Sequence, residues 1–326
     1  MGKLIAGYWH DVCFDTEETR GRFVRSESQF RNWVTVDGSA GPTGKSGFLA
    51  APDRYHLYIS WACPWAHRTM IFRELKGLKD MIPISSVNSF MGAEGWTFEP
   101  GPRVIPDPVN HASRLYEVYL AADPKYSGRA TVPILWDKHN NTIVSNESQE
   151  IIRMLNRAFD EVGASGPDFY PENLRTEIDE VNDYVYSNIN NGVYKSGFAT
   201  TQDAYDEAVS AVFEALDTIE DRLQSRRYLT GATITEADWR LFTTLIRFDT
   251  IYFGHFKCNW RRISDCPNLW GYVRDLYQYP GISRTVDLAF CKQHYYRSHE
   301  MLNPHFIVPI GPSIDFTSSH GRESLS

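Results

Sequence analysis

From Tyr55 to Ser60 the chain carries β-favouring residues and then breaks at polar positions, while Met70, Ile71, Leu75 and Leu78 recur at the spacing of one helix face. The pattern predicts a strand at Tyr55–Ser60, a helix at Pro64–Gly77 and a second strand at Ile82–Val87. A Gly- and Pro-rich stretch from Ser89 to His111 follows; loops of that length inside a compact domain are as a rule functional or disordered. Arg114–Ala122 fits a helix. Thr131–Trp136 and Thr142–Val144 fit two strands around a turn at Asp137–Asn141. Pro133 near the start of its strand demands an edge or a bend, and a cis Val132–Pro133 bond is one way to make it. Ser145-Asn146-Glu147-Ser148 then opens a helix through Ile151, Ile152, Leu155 and Phe159.

Gly163-Ala164-Ser165-Gly166-Pro167 has the composition of a linker, and helical periods dominate after it. Tyr205, Ala208, Val209, Val212, Phe213, Leu216, Ile219 and Leu223 form a stripe of core positions. Thr235-Glu236-Ala237-Asp238 is a capping-box start for the helix of Trp239, Leu241, Phe242, Leu245 and Ile246, a folding signal and not a site. Leu269–Tyr279 and Ile282–Tyr296 supply two more helices, divided by Pro280-Gly281. The chain thus divides into an extension over 1–50, an α/β domain over 51–162, an all-α domain over 168–302 and a tail over 303–326. The extension lacks sustained periodicity, yet Trp9, Phe14, Phe23, Phe30 and Trp33 are too apolar for free disorder, so it is expected to drape over a domain. In the tail, Phe306, Ile307, Val308 and Ile310 are expected to dock on the body and the last residues to be loose.

The chemistry centres on Trp61-Ala62-Cys63-Pro64-Trp65-Ala66-His67-Arg68, where the first strand hands over to the first helix. Pro64 suits the first helical position, because its fixed φ matches and its missing N–H costs nothing there. Cys63 therefore falls at or beside an N-cap, where backbone N–H groups and the helix dipole favour the nucleophilic thiolate. A buried cysteine packing as a small hydrophobe is the alternative. Position 66 is Ala, so this is no Cys-x-x-Cys dithiol, and turnover requires an outside thiol. His67 and Arg68 either support the thiolate or lie on the helix's polar face, and the polar face is the expectation for both.

Composition removes several classes. A net charge of −8 without a basic run argues against nucleic-acid binding. No stretch approaches the ~20 apolar residues of a membrane span. The N-terminus has no signal-peptide core, and its Asp11, Asp15, Glu17 and Glu18 are unlike a transit peptide. Five cysteines, an odd number without metal-ligand spacing, fit a reducing cytoplasm and suggest neither a disulfide framework nor a metal site.

Other residues carry weaker signals. Trp96, in the middle of the long insertion, either covers a ligand or pins the loop to the core. The Val132 backbone beside Pro133 suits pairing with a ligand's peptide group. Ser148 with neighbouring N–H groups makes an anion site at a helix start, and Glu147 suits an ammonium, so the pair matches an α-amino-acid head group. Plain N-capping by Ser145 or Asn146 is the alternative. Tyr194, Tyr252, Tyr295 and Tyr296 lie at helix ends, where phenols either line an aromatic pocket or pack structurally.

The α/β domain followed by an all-α domain, with Glu147-Ser148 opening the third helix of the first, resembles the glutathione transferases, whose first domain is thioredoxin-like. Cys63-Pro64 narrows the resemblance to cysteine-type classes. The Trp61–Arg68 run, the extension beginning Gly7-Tyr8-Trp9, the insertion with Trp96 and the tail resemble the Xi class, the glutathionyl-hydroquinone reductases, over nearly the whole chain. The resemblance implies reduction of glutathionyl-hydroquinones, with glutathione as reductant and quinone detoxification as the role. Cys63 would be the nucleophile. Trp96, Arg129, Val132, Glu147 and Ser148 would hold glutathione, Arg129 by charge-assisted contact with an anionic group unless it is tied up in a loop salt bridge. Tyr194, Tyr252 and Tyr295 would border the quinol, one of them giving a proton. It also implies a homodimer through the helical domain. Two rivals stand beside this reading. An omega-like transferase would reduce dehydroascorbate or mixed disulfides with the same cysteine, and a non-enzymatic ligand carrier would need no activated thiol.

Overall fold

The computed structural model describes residues 2–325. They form two compact units, each stitched from non-contiguous segments rather than from single spans of chain order. The first unit holds the chain up to Cys13, Glu27–Pro167 and Thr285–Ile307; the second holds Phe14–Ser26, Asp168–Arg284 and the chain from Val308 onward.

The first unit is built on a four-stranded sheet. The N-terminal hairpin supplies β1 (Lys3–Ile5) and β2 (Tyr8–His10), a pair apart from it. The main sheet takes β3 (Tyr55–Ile59), β4 (Ile84–Ser86), β5 (Ile134–Asp137) and β6 (Thr142–Ser145) in the order β4-β3-β5-β6. β3 runs parallel to β4 and antiparallel to β5, and β5 antiparallel to β6. This is the expected thioredoxin-like arrangement, with α1 (Pro64–Leu75), α2 (Leu115–Ala122) and α3 (Ser148–Arg157) around the sheet and α1 packed on α3.

All five side chains of β3 are buried. Its polar atoms are satisfied internally, as burial demands. Tyr58 donates to Asp107 Oδ1 at 2.8 Å, Tyr55 donates to the Leu49 carbonyl at 2.8 Å, and His56 Nε2 lies 2.8 Å from Ser85 Oγ. Asp107 also accepts from the amides of Val109, Asn110 and Ala112, so the long insertion is folded around one buried carboxylate. Arg54 grips buried Asp137 with two nitrogens, at 2.9 and 2.6 Å, and locks the end of β5 to the start of β3. Residues 28–34 of the extension lie along β6, with Asn32 N–H donating to the Val144 carbonyl and Asn146 N–H to the Phe30 carbonyl.

The second unit is helical: α4 (Arg175–Val185), α5 (Gly192–Gly197), α6 (Gln202–Leu223), α7 (Glu236–Arg247), the single turn α8 (Phe253–His255) and α9 (Pro267–Gln278). The α6 stripe is buried from Ala208 to Leu223 as expected, except that Tyr205 lies nearer the surface. At α7, Thr235 and Asp238 form the predicted capping box, and Asp238 further accepts from Leu229 N–H and Tyr272 OH. Two stretches are wound with i→i+5 bonds, Tyr186–Asn190 before α5 and Phe248–Tyr252 after α7.

From Ile282 onward the chain departs from expectation. Ile282–Tyr296 is not one helix: a short turn at Ile282–Thr285 precedes α10 (Leu288–Ser298), which Asp287 caps by accepting from Phe290 N–H. The break lets α10 join the first unit. In the tail, Ile307 and Ile310 are exposed, contrary to their expected docking. The anchoring instead comes later, where the chain was expected to be loose. Phe316 packs on Trp270 and Tyr277, and the buried Arg322 guanidinium donates to the Leu223, Arg226 and Arg227 carbonyls at the end of α6.

Burial pushes His56 and His294 down to about 4. Both are neutral in the folded chain above that pH, whereas an unfolded histidine takes a proton near ~6.5. Stability should therefore fall as pH drops from about 6.5 to 4, by at most about 2.7 kcal/mol per pH unit for two protons. Urea-unfolding midpoints between pH 7 and 4.5 measure this, and His56→Gln should roughly halve the slope.

Candidate active site

β3 ends at Ile59, the chain turns through Ser60–Ala62, and α1 begins at Pro64. Cys63 is the N-cap, with its Sγ accepting from Ala66 N–H at 3.5 Å. The residue is partly exposed. Across from it, the thiol donates to the Val132 carbonyl at 3.4 Å. Val132–Pro133 is cis, as anticipated, and β5 starts just beyond it. The turn is backed by α10: Cys291 Sγ lies 3.6 Å from the Trp61 carbonyl and 4.0 Å from that of Ala62.

His67 and Arg68 are not polar-face residues. They are 0% and 1% exposed, because α1 is covered along most of its length. His67 Nε2 lies 2.8 Å from Thr285 Oγ1. The Arg68 guanidinium sits 4.6 Å from the Trp65 ring and donates to Ser148 Oγ at 3.4 Å, joining the start of α1 to the start of α3.

At α3 the cap is Glu147, not Ser145 or Asn146. Its Oε1 accepts from Gln149 N–H at 3.2 Å and its Oε2 from Ser28 Oγ at 3.1 Å. Ser28 belongs to the extension, and nothing in that aperiodic stretch marked it beforehand. Ser148 is buried at the first turn. Arg129 is turned to the extension. It donates to the carbonyls of Gly2, Val12 and Cys13 at 3.2, 3.4 and 3.1 Å and so clamps the extension, and burial lowers its pKa. Trp96 is 8% exposed, with its ring stacked on His294.

The tyrosines divide between the units. Tyr295, 2% exposed, lies on α10 in the first. In the second, Tyr194 and Tyr252 have ring centroids 6.1 Å apart, Tyr252 being fully buried and stacked on Phe256. Arg25, also unmarked by the sequence, places its guanidinium 4.8 Å from the Tyr194 ring and donates to Asn191 Oδ1. Both tyrosines adjoin the two i→i+5 stretches, a backbone irregularity frequent at functional sites.

Among the described residues no cluster of three or more His, Cys, Asp or Glu has the arrangement to hold a metal, and no helix is long and apolar enough to cross a membrane. The model for the glutathione S-transferase N-terminal domain matches residues 62–158, and that for the C-terminal domain matches residues 202–275. The glutathionyl-hydroquinone reductase YqjG of Escherichia coli K12 is 57% identical over 324 residues, 99% of each chain. The chain belongs to the Xi-class glutathione transferases. Glutathionyl-hydroquinone reductase PcpF of Sphingobium chlorophenolicum is 54% identical over 96% of this chain and 97% of its own. The glutathione-bound structure of YqjG superposes with a TM-score of 0.91, covering 98% of this chain and 99% of that one at 54% identity. The Xi-class transferase of Natrialba magadii gives the same TM-score at 44% identity over 100% and 98%.

Arg129→Ala removes three hydrogen bonds to the segment carrying the β1–β2 hairpin. It should loosen that hairpin by about 1–3 kcal/mol, read as faster amide exchange over residues 3–10 with the sheet core unchanged.

Proposed function

We propose that the protein reduces glutathionyl-hydroquinones to hydroquinones, with Cys63 as the nucleophile and glutathione as the reductant. The observation that carries this is a partly exposed sulfur at the N-cap of α1, facing a backbone carbonyl beside a cis proline, in a chain of the Xi class. The Ala66 N–H and the helix dipole favour the thiolate.

The thiolate attacks the glutathione sulfur of the conjugate. An S–S bond forms and the C–S bond breaks. The electron pair passes to the ring carbon, which takes a proton and leaves as hydroquinone. A second glutathione thiolate then attacks the Cys63–glutathione disulfide, releasing glutathione disulfide and the Cys63 thiolate. Val132 pairs with the tripeptide backbone and brings its sulfur to Cys63. Glu147 takes the ammonium and Ser148, at the α3 N-terminus, the α-carboxylate. Arg129 contacts an anionic group and Trp96 covers the ligand. Tyr194, Tyr252 and Tyr295 border the quinol, and one of them gives the proton. The reaction needs no metal. We place the enzyme in the cytoplasm as a homodimer assembled through its helical part.

Cys63→Ser should cost at least about a thousandfold in turnover of a glutathionyl-hydroquinone, since removing a covalent nucleophile removes the pathway. Retained activity would refute the scheme, and faster turnover of dehydroascorbate than of the quinol conjugate would favour the omega-like rival. Iodoacetamide labelling of Cys63 across pH should have a midpoint roughly a unit or more below the ~8.5 of an unperturbed cysteine; a midpoint at that value favours a ligand carrier.

A further inference from the structure

Trp96 stands on a 23-residue insertion without regular structure, yet its ring is nearly buried. Part of the reason is backbone. The Trp96 carbonyl accepts from Leu115 N–H, and the flanking Thr97 pairs with Arg114. Those bonds fix the main chain and leave the indole free to rotate about χ1 and χ2. The ring is fixed from another part of the molecule. His294 of α10 stacks on it with centroids 4.5 Å apart and planes 24° apart. His294 is itself held: its Nδ1 lies 2.9 Å from the Ser89 carbonyl and 3.2 Å from Ser298 Oγ, one turn further along α10. Ser298 Oγ in turn accepts from Met91 N–H at 3.0 Å.

The insertion does not lie flat on α10. The two enclose a cleft of about 750 Å³ lined by Asn88, Phe90, Arg103, Phe290, Gln293 and others. Beside that cleft, the Trp96–His294 stack is one of several contacts between the insertion and α10, with Ser89 and Met91 at His294 and Ser298 and Arg103 at Asp287. An aliphatic side chain on α10 would also fill the space, but it would not present a flat ring to the indole.

We infer that His294 is a positioning residue of the glutathione site, setting the plane of the Trp96 indole through ring stacking. The inference rests on the proposed contact between Trp96 and glutathione. His294 touches no reacting atom, so its effect is confined to how tightly the tripeptide is held.

Four variants in the full-length protein test it: Trp96→Ala, His294→Gln, His294→Phe and the Trp96→Ala/His294→Gln double, each assayed with glutathione varied at saturating conjugate. His294→Gln keeps a polar group and loses the ring. It should raise the glutathione KM about three- to tenfold, the effect of losing one ring–ring contact, with kcat within about twofold. His294→Phe keeps the ring and should retain a KM near that of the parent. The double variant should match Trp96→Ala alone, because a residue acting through Trp96 has nothing left to act on. If Trp96→Ala raises the KM but His294→Gln does not, or the two effects add, His294 does not act through the indole and the inference is overturned. If His294→Phe is as impaired as His294→Gln, the Ser89 and Ser298 contacts matter instead of the stack, which overturns it too. If Trp96→Ala leaves the KM unchanged, the Trp96–glutathione contact itself is wrong.

Discussion

A sulfur held between an amide and a carbonyl is the constraint on which the site depends. Cys63 Sγ accepts from Ala66 N–H and faces the Val132 carbonyl, so α1 and the start of β5 meet at one atom. The placement follows from local rules. The buried strand β3 ends at Ile59, Pro64 starts a helix where no N–H is needed, and Cys63 just before it becomes the cap. The cap is then fixed from behind by Cys291 against the Trp61 and Ala62 carbonyls, and along α1 by His67 on Thr285. Residues more than two hundred positions away thus decide where this sulfur points.

The other cysteines show what that location changes. Cys258 is fully buried, and burial pushes its thiol up to about 12; burial raises Cys266 as well. Cys291 is fully buried against the Trp61 and Ala62 carbonyls. Cys13 is exposed but lies in irregular chain after β2. Among the five, Cys63 combines partial exposure with a place at the N-cap of a helix.

Much of this was legible in the sequence because it is written in local periods. β3, α1, α3, α6 and the α7 capping box follow from β-favouring residues, 3.6-residue spacing and cap chemistry, and Cys63-Pro64 marked the candidate site. What escaped is non-local. The β1–β2 hairpin has three-residue strands, too short to show a period, and it is secured by Leu4 pairing with Gly128. His67 and Arg68 looked like surface residues, since the sequence does not show that α1 is covered by α3 and by the Thr285 segment. Glu147 displaced the better capping residues Ser145 and Asn146 because Asn146 is engaged with Phe30 of the extension. The tail was misjudged for a related reason. Hydropathy favoured Ile310, but the unfilled need lay with the carbonyls closing α6, which only a donor such as Arg322 meets.

The extension, the insertion and α10 make one further point together. Trp9 donates to the Ala93 carbonyl and stacks on Tyr116, and its ring covers Gly95, where a Cβ would lie 2.8 Å from it. Gly95 has φ +70°, so both conformation and space exclude a larger residue next to Trp96. The same indole is supported by His294 and its backbone by Leu115. The extension and the insertion, which lack a strong period of their own, are therefore each defined by contacts with other segments. Neither would hold its shape alone, since a loop without buried apolar partners does not offset the entropy of ordering it. The thioredoxin-like sheet draws its shape from its own ladder of strands, and the extension and the insertion draw theirs from each other and from α10.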